Sequence, residues 1–142
     1  MARRDEPLAF LDEHERETFE EVAVAQTAPV LAAYRRAVYP ASVATDRAFV
    51  AAVRERYAVA RPNAPSLRAF AGPAAIACGR DDHWVGFEDA IRIARLLPRS
   101  SMHVLADCGH LLMLEEPARF AALVEDWLDR ALAEPPAAPS AR

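Results

Sequence analysis

Two short stretches carry side chains able to move protons together: "CGRDD", residues 78–82, and "ADCGH", residues 106–110. The second ends on His110, one of four histidines, directly after Gly109, one of four glycines. An imidazole takes and gives a proton near neutral pH. A carboxylate beside it holds the ring in one tautomer and stabilises the imidazolium formed when a nucleophile gives up its proton. Asp82 lies 28 positions before His110 and is the better-placed acid, with Asp81 the lesser candidate. The other chemistry open to these residue types is a metal site drawn from Asp82, His83, Asp107, Cys108 and His110, and nothing in their spacing favours it. His14, His83 and His103 are assigned no catalytic duty.

A separation of this size becomes a contact only if both stretches end neighbouring elements. "PAAIACG", residues 73–79, is an apolar run closed by a glycine and reads as a strand buried on both faces. "GFEDAIRIARLLP" then places Phe87, Ala90, Ile91, Ala94 and Leu97 on one helical face and stops at Pro98. "SMHVLAD" alternates Met102, Val104 and Ala106 against His103, Leu105 and Asp107, the pattern of an edge strand with one wetter face. Pro117 suits a first helical position, and Phe120, Leu123, Val124, Trp127, Leu128 and Ala131 follow as an amphipathic stripe. Strand, helix, strand, helix predicts a parallel pair joined by a right-handed crossover. Both strands then end at one sheet edge, where open α/β sheets bind ligands. The fold class is α/β.

The first sixty residues read as helices. Apolar stripes run through Phe19, Val22, Ala23 and Gln26, through Val30, Leu31, Tyr34 and Val38, and through Phe49, Val53 and Tyr57. Thr45 or Asp46 is the expected N-cap of the third helix, and the charge run "DEHERETFEE" is expected to be a solvated helix face. "ARPNAPSLRAFAGP", residues 60–73, reads as a linker, so the expected division is a helical segment at 1–62, an α/β segment at 63–133 and a disordered tail at 134–142.

Composition narrows the partners. A net charge of −4 with arginines scattered through every segment makes no basic stripe, which argues against nucleic acid or an acidic membrane surface. No signal-peptide pattern opens the sequence and no apolar run approaches bilayer length, so the expected location is the cytoplasm. The two cysteines, Cys78 and Cys108, read as free thiols.

Over about residues 73–131, which include the run from "GRDDHW" to "LDRA", the sequence resembles the C-terminal end of α/β-hydrolase-fold enzymes, in particular the branch of esterases and hydrolases of ring-cleavage products. The resemblance rests on Gly79 to Asp82 as the acid motif, Val85 after it, the Gly109–His110 pair, and Glu116–Pro117 opening the last helix. Gly86 departs from the pattern, standing where many members carry proline. The resemblance implies a Ser-Asp-His triad with Asp82 as acid and His110 as base, and no cofactor. Val85 near the acid, with Trp84, and Leu111 beside the base are the candidate substrate contacts, the alternative being that they pack under the loop and in the core. The resemblance also implies that residues 1–62 are a lid and that the substrate is a small ester or a ketone with a vinylogous carbon–carbon bond. The nucleophile of that triad sits in G-x-S-x-G. No such motif occurs here: Ser42, Ser66, Ser100, Ser101 and Ser140 follow no strand as an elbow serine would. The expectation is therefore a lid plus C-terminal part with an incomplete sheet, completed by an N-terminal half or pairing as a homodimer. The alternative is a truncated, non-catalytic remnant that binds a partner.

Overall fold

The computed structural model describes residues 10–56 and 64–133. Helices come first: α1 (Glu13–Val22), α2 (Ala28–Ala37), α3 (Tyr39–Ala44), α4 (Arg47–Arg54) and α5 (Ala64–Ala69). The α/β part follows as β1 (Ala74–Gly79), α6 (Glu88–Ala94), β2 (Ser100–Leu105), the single turn α7 (Leu112–Glu115) and α8 (Pro117–Leu132). None of these helices is long and apolar enough to cross a membrane.

Local chemistry explains the boundaries. Asp12 caps α1 by accepting from the Glu15 amide at 2.8 Å, and Asp46 caps α4 by accepting from Ala48 and Phe49. Of the two caps considered for that helix, Asp46 is the one used. Pro117 occupies the first turn of α8, where its missing N–H would have had no helical partner. Residues 64–69 form a short helix inside the stretch expected to be a linker. The apolar stripe of α4 is not buried: Phe49 is 65% exposed and Val53 41%. Tyr57, the N-terminal part of that linker stretch and the tail at 134–142 lie outside the described residues.

The helical part is held by Phe19, Ala23, Val30, Leu31 and Tyr34, with the Phe19 and Tyr34 rings 5.1 Å apart. Removing a buried aromatic from such a cluster costs about 3–5 kcal/mol. One acid of the charged run turns inward rather than facing solvent. Glu15 is buried because Arg35 on α2 reaches it with two nitrogens, the second at 2.9 Å. A carboxylate paired in two places tolerates a site that an isolated one would not.

β1 and β2 are parallel, in a register that pairs Ala74 with Ser100 and Gly79 with Leu105. α6 packs on both strands and α8 on β1, where the Trp127 indole donates to the Pro73 carbonyl at 2.9 Å. Leu105, Cys108 and Leu112 form a second small core with Ala77, Phe120 and Leu123. Two expectations about burial fail here. Ala74 and residues 76–78 are half-buried and Ala75 is exposed, so β1 is not buried on both faces. β2 shows no wet face either, since Ser100 to Val104 are uniformly half-buried. For β1 the physical reason is plain: among the described residues it pairs on one side only, and beside it a groove of about 450 Å³ lies open between Phe70, Ala75, Ala77, Phe120, Val124 and Trp127. Apolar patterning encodes a covering that these residues do not themselves provide.

Candidate functional site

Both strands end at the same edge, and the loops leaving them are stitched together by main chain. The Arg80 amide donates to the Leu105 carbonyl at 2.8 Å and the Asp81 amide to the Cys108 carbonyl at 3.0 Å. So close an approach requires glycine at the end of β1. A Cβ on Gly79 would lie 2.3 Å from the carbonyl oxygens of both Cys108 and Gly109, well inside contact distance. The turn out of β2 passes through Asp107 at φ 56, a conformation aspartate tolerates better than most residues.

This stitching brings Asp82 and His110 together. The Asp82 Oδ2 lies 3.0 Å from His110 Nδ1, with the Asp82 side chain only 8% exposed and that of His110 37% exposed. The other carboxyl oxygen accepts from the Trp84 amide at 2.9 Å and the Val85 amide at 3.2 Å. Burial pushes the Asp82 carboxyl up, but the hydrogen bonds from His110 and from these two amides outweigh it, and the group is held below its ordinary value. Nε2 of His110, the atom that would face a nucleophile, has no hydrogen-bond partner among the described residues.

The loop closes at Gly86, whose φ of 63 explains the departure from proline. A pyrrolidine ring fixes φ near −65° and cannot take that conformation. The Gly86 amide donates to the Asp82 carbonyl at 3.1 Å, so the acid sits inside a turn it helps to close. Trp84 lies against the base: the indole and imidazole centroids are 5.1 Å apart and tilted by 39°. Val85 lends its amide to the acid and leaves its side chain 67% exposed. Leu111 is 7% exposed and inserted into the helical core beside Leu31 and Tyr34. Asp81 is exposed, and no bond joins its side chain to His110.

Neither thiol is disposed as a nucleophile. Burial, aided by the Asp82 charge, pushes the Cys78 thiol up, and burial with Glu115 and Glu116 pushes Cys108 up to about 12. Among the described residues no three His, Cys, Asp or Glu side chains converge as metal ligands would. One polar residue of the site was not singled out from the sequence. Glu115, 6% exposed, accepts from the Gly109 amide at 3.2 Å and from the Ala25 amide at 2.7 Å. The available signal was an acidic residue next to the apolar "LLML" run, which by spacing alone belongs to the helix opening.

The lowered carboxyl sets a pH dependence. The unfolded-state value is about 4 and the folded one lies below it, so the stability Asp82 contributes is fully present above about pH 4 and lost as pH falls through the folded value. Denaturant titrations repeated between about pH 6 and pH 2 are expected to show that loss, and Asp82→Asn to flatten this part of the profile. An unchanged slope would mean that Asp82 is not held as described.

The chain is similar to known proteins in sequence and in fold. A 2-hydroxymuconate semialdehyde hydrolase of Pseudomonas putida is 32% identical over 69 residues, covering 49% of this chain and 25% of that protein. A second, from Pseudomonas sp. strain CF600, is 29% identical over 99 residues, covering 69% and 35%. The chain thus spans about a quarter to a third of the length of these curated relatives. In fold, an alpha/beta superfamily hydrolase from Oenococcus oeni PSU-1 superimposes with a TM-score of 0.75 at 18% identity, over 85% of this chain and 45% of that one. The profile of the alpha/beta hydrolase family matches residues 2–123, and the protein belongs to that family.

Proposed function

We propose that this chain supplies the acid and base of a hydrolase whose nucleophile, a serine, comes from polypeptide outside these 142 residues. The observation that carries the reading is the 3.0 Å contact between Asp82 and His110 Nδ1, with the acid's second oxygen occupied by two amides. That arrangement leaves Nε2 as the proton-accepting atom. His110 takes the serine proton as the hydroxyl attacks the substrate carbonyl and then returns it to the leaving group, while Asp82 holds the tautomer and stabilises the imidazolium. The substrate class is a small carboxylic ester or a carbon–carbon bond next to a ketone; the two Pseudomonas relatives are 2-hydroxymuconate semialdehyde hydrolases. Val85 offers its exposed side chain to the substrate beside the acid, Leu111 backs the base from beneath, and the α1–α4 region serves as the lid.

The unpaired side of β1 and the apolar groove next to it support completion of the sheet by further polypeptide, in the same chain or in another. The test is a chimera. The part of the Pseudomonas sp. CF600 hydrolase that precedes its matched region is joined to this chain and assayed on a chromogenic ester and on a ring-cleavage ketone. Turnover by the chimera and none by residues 1–142 alone is the expected result. A folded chimera without turnover on either would overturn the assignment, and turnover by the isolated chain would show that no outside nucleophile is needed.

A further inference from the structure

Glu115 takes no part in the proton transfers just described, yet it is among the most buried charged side chains of the described residues. Its two oxygens accept from amides that lie far apart in sequence, Oε2 from Ala25 between α1 and α2 at 2.7 Å and Oε1 from Gly109 at 3.2 Å. We infer that Glu115 is the positioning residue of the base, tying the Gly109–His110 loop to the α1–α2 connection so that the helical segment sets where the imidazole stands. The inference rests on the assignment of His110 as base.

The geometry leaves the loop little freedom except through this residue. A Cβ at Gly109 would lie 2.7 Å from Val24 Cγ2 and 3.3 Å from Glu115 Oε1, so the α1–α2 connection and the carboxyl both press against the main chain next to His110. On the other side of the base, Leu111 is seated in the helical core. The His110 ring itself is more than a third exposed and is held by Asp82 and the face of Trp84. Its aim therefore depends on main-chain placement more than on side-chain packing. Only a carboxyl satisfies both donors. An amide side chain has one acceptor oxygen and turns N–H groups toward the second amide, leaving a buried donor without a partner.

The test uses the ring 15N resonances of His110 in the full chain in alkaline buffer, because they report the tautomer directly. In the unmutated chain the two nitrogens are expected to be widely separated, as in a ring fixed with its proton on Nδ1, and Asp82→Ala, which removes the partner of Nδ1, supplies the released-ring reference. Glu115→Gln is expected to move the separation most of the way to that reference while the Trp84 and Val85 amides keep their native shifts. A separation unchanged in Glu115→Gln would overturn the inference and leave the acid–base pair intact. Averaged ring nitrogens in the unmutated chain would instead overturn the pair itself, and the inference with it, without recourse to the variant. Should Glu115→Gln fail to fold, amide exchange in the unmutated chain decides: Ala25 and Gly109 are expected to share one protection factor, and a freely exchanging Ala25 beside a protected Gly109 overturns the link.

Discussion

Replacing His110 with alanine in the chimera is expected to lower kcat/KM by roughly 10⁴- to 10⁶-fold, almost all of it in kcat. The magnitude follows from the role. Without the imidazole, a serine hydroxyl must attack while keeping its proton, and the leaving group must depart unprotonated. Substrate contacts made by the remaining residues persist, so KM should change little. Asp82→Asn is expected to cost about 10⁴-fold, since an amide at the 3.0 Å contact with Nδ1 favours the wrong tautomer but leaves the base in place. The double variant should be scarcely worse than His110→Ala, because the two side chains act as one device. A His110→Ala enzyme within about tenfold of the parent would leave no room for His110 as general base.

Gly79→Ala is expected to be the most damaging of the glycine-to-alanine changes at Gly72, Gly79, Gly86 and Gly109. The new carbon would stand 2.3 Å from two carbonyl oxygens, and these belong to backbone that cannot rotate away. One of them, on Cys108, already accepts from Asp81. Relief requires the β1 and β2 ends to part, which breaks that bond and draws Asp82 from His110. Overpacking of ordinary severity costs about 1–3 kcal/mol, and a clash against main chain belongs at or above the top of that range. Against a typical total of about 5–15 kcal/mol, the loss should appear as a large fall in urea midpoint. Gly72→Ala is the control: its Cβ would meet the tip of the Phe70 ring at 3.0 Å, a side chain able to turn aside. If Gly79→Ala unfolds at the parental midpoint, the close approach of the strand ends is wrong.

The architecture was legible because its signals are local or periodic. The turn residues around β1, the stripe on α8, Asp46 as a cap and Pro117 as a helix start each act within a few residues of themselves. The Asp82–His110 contact could be anticipated too, since a parallel pair with a helical crossover forces the two strand ends to one edge. What escaped was whatever depends on distant partners. Glu15 looked like one more solvated acid until Arg35 arrived from another helix. Glu115 could not be told from its neighbour Glu116 without the amides of Ala25 and Gly109. The burial of β1 was overestimated because an alanine and isoleucine run states what a strand is suited to, not what stands beside it.

The acid and the base differ in how portable they are. Asp82 carries its own orientation: the Trp84 and Val85 amides, the Gly86 amide on its carbonyl and a left-handed glycine all fall within five consecutive residues. Such a turn is a cassette that could be grafted onto the end of another parallel strand with its carboxyl already aimed. His110 has no comparable kit. Its placement is borrowed from Val24, Ala25 and the core that receives Leu111, so a graft of the base would have to bring a helical layer with it. In a laboratory recombination of related chains, a crossover within α8 keeps both sets intact and should therefore be far better tolerated than one between α2 and β2, which parts Val24 and Ala25 from Gly109 and Glu115.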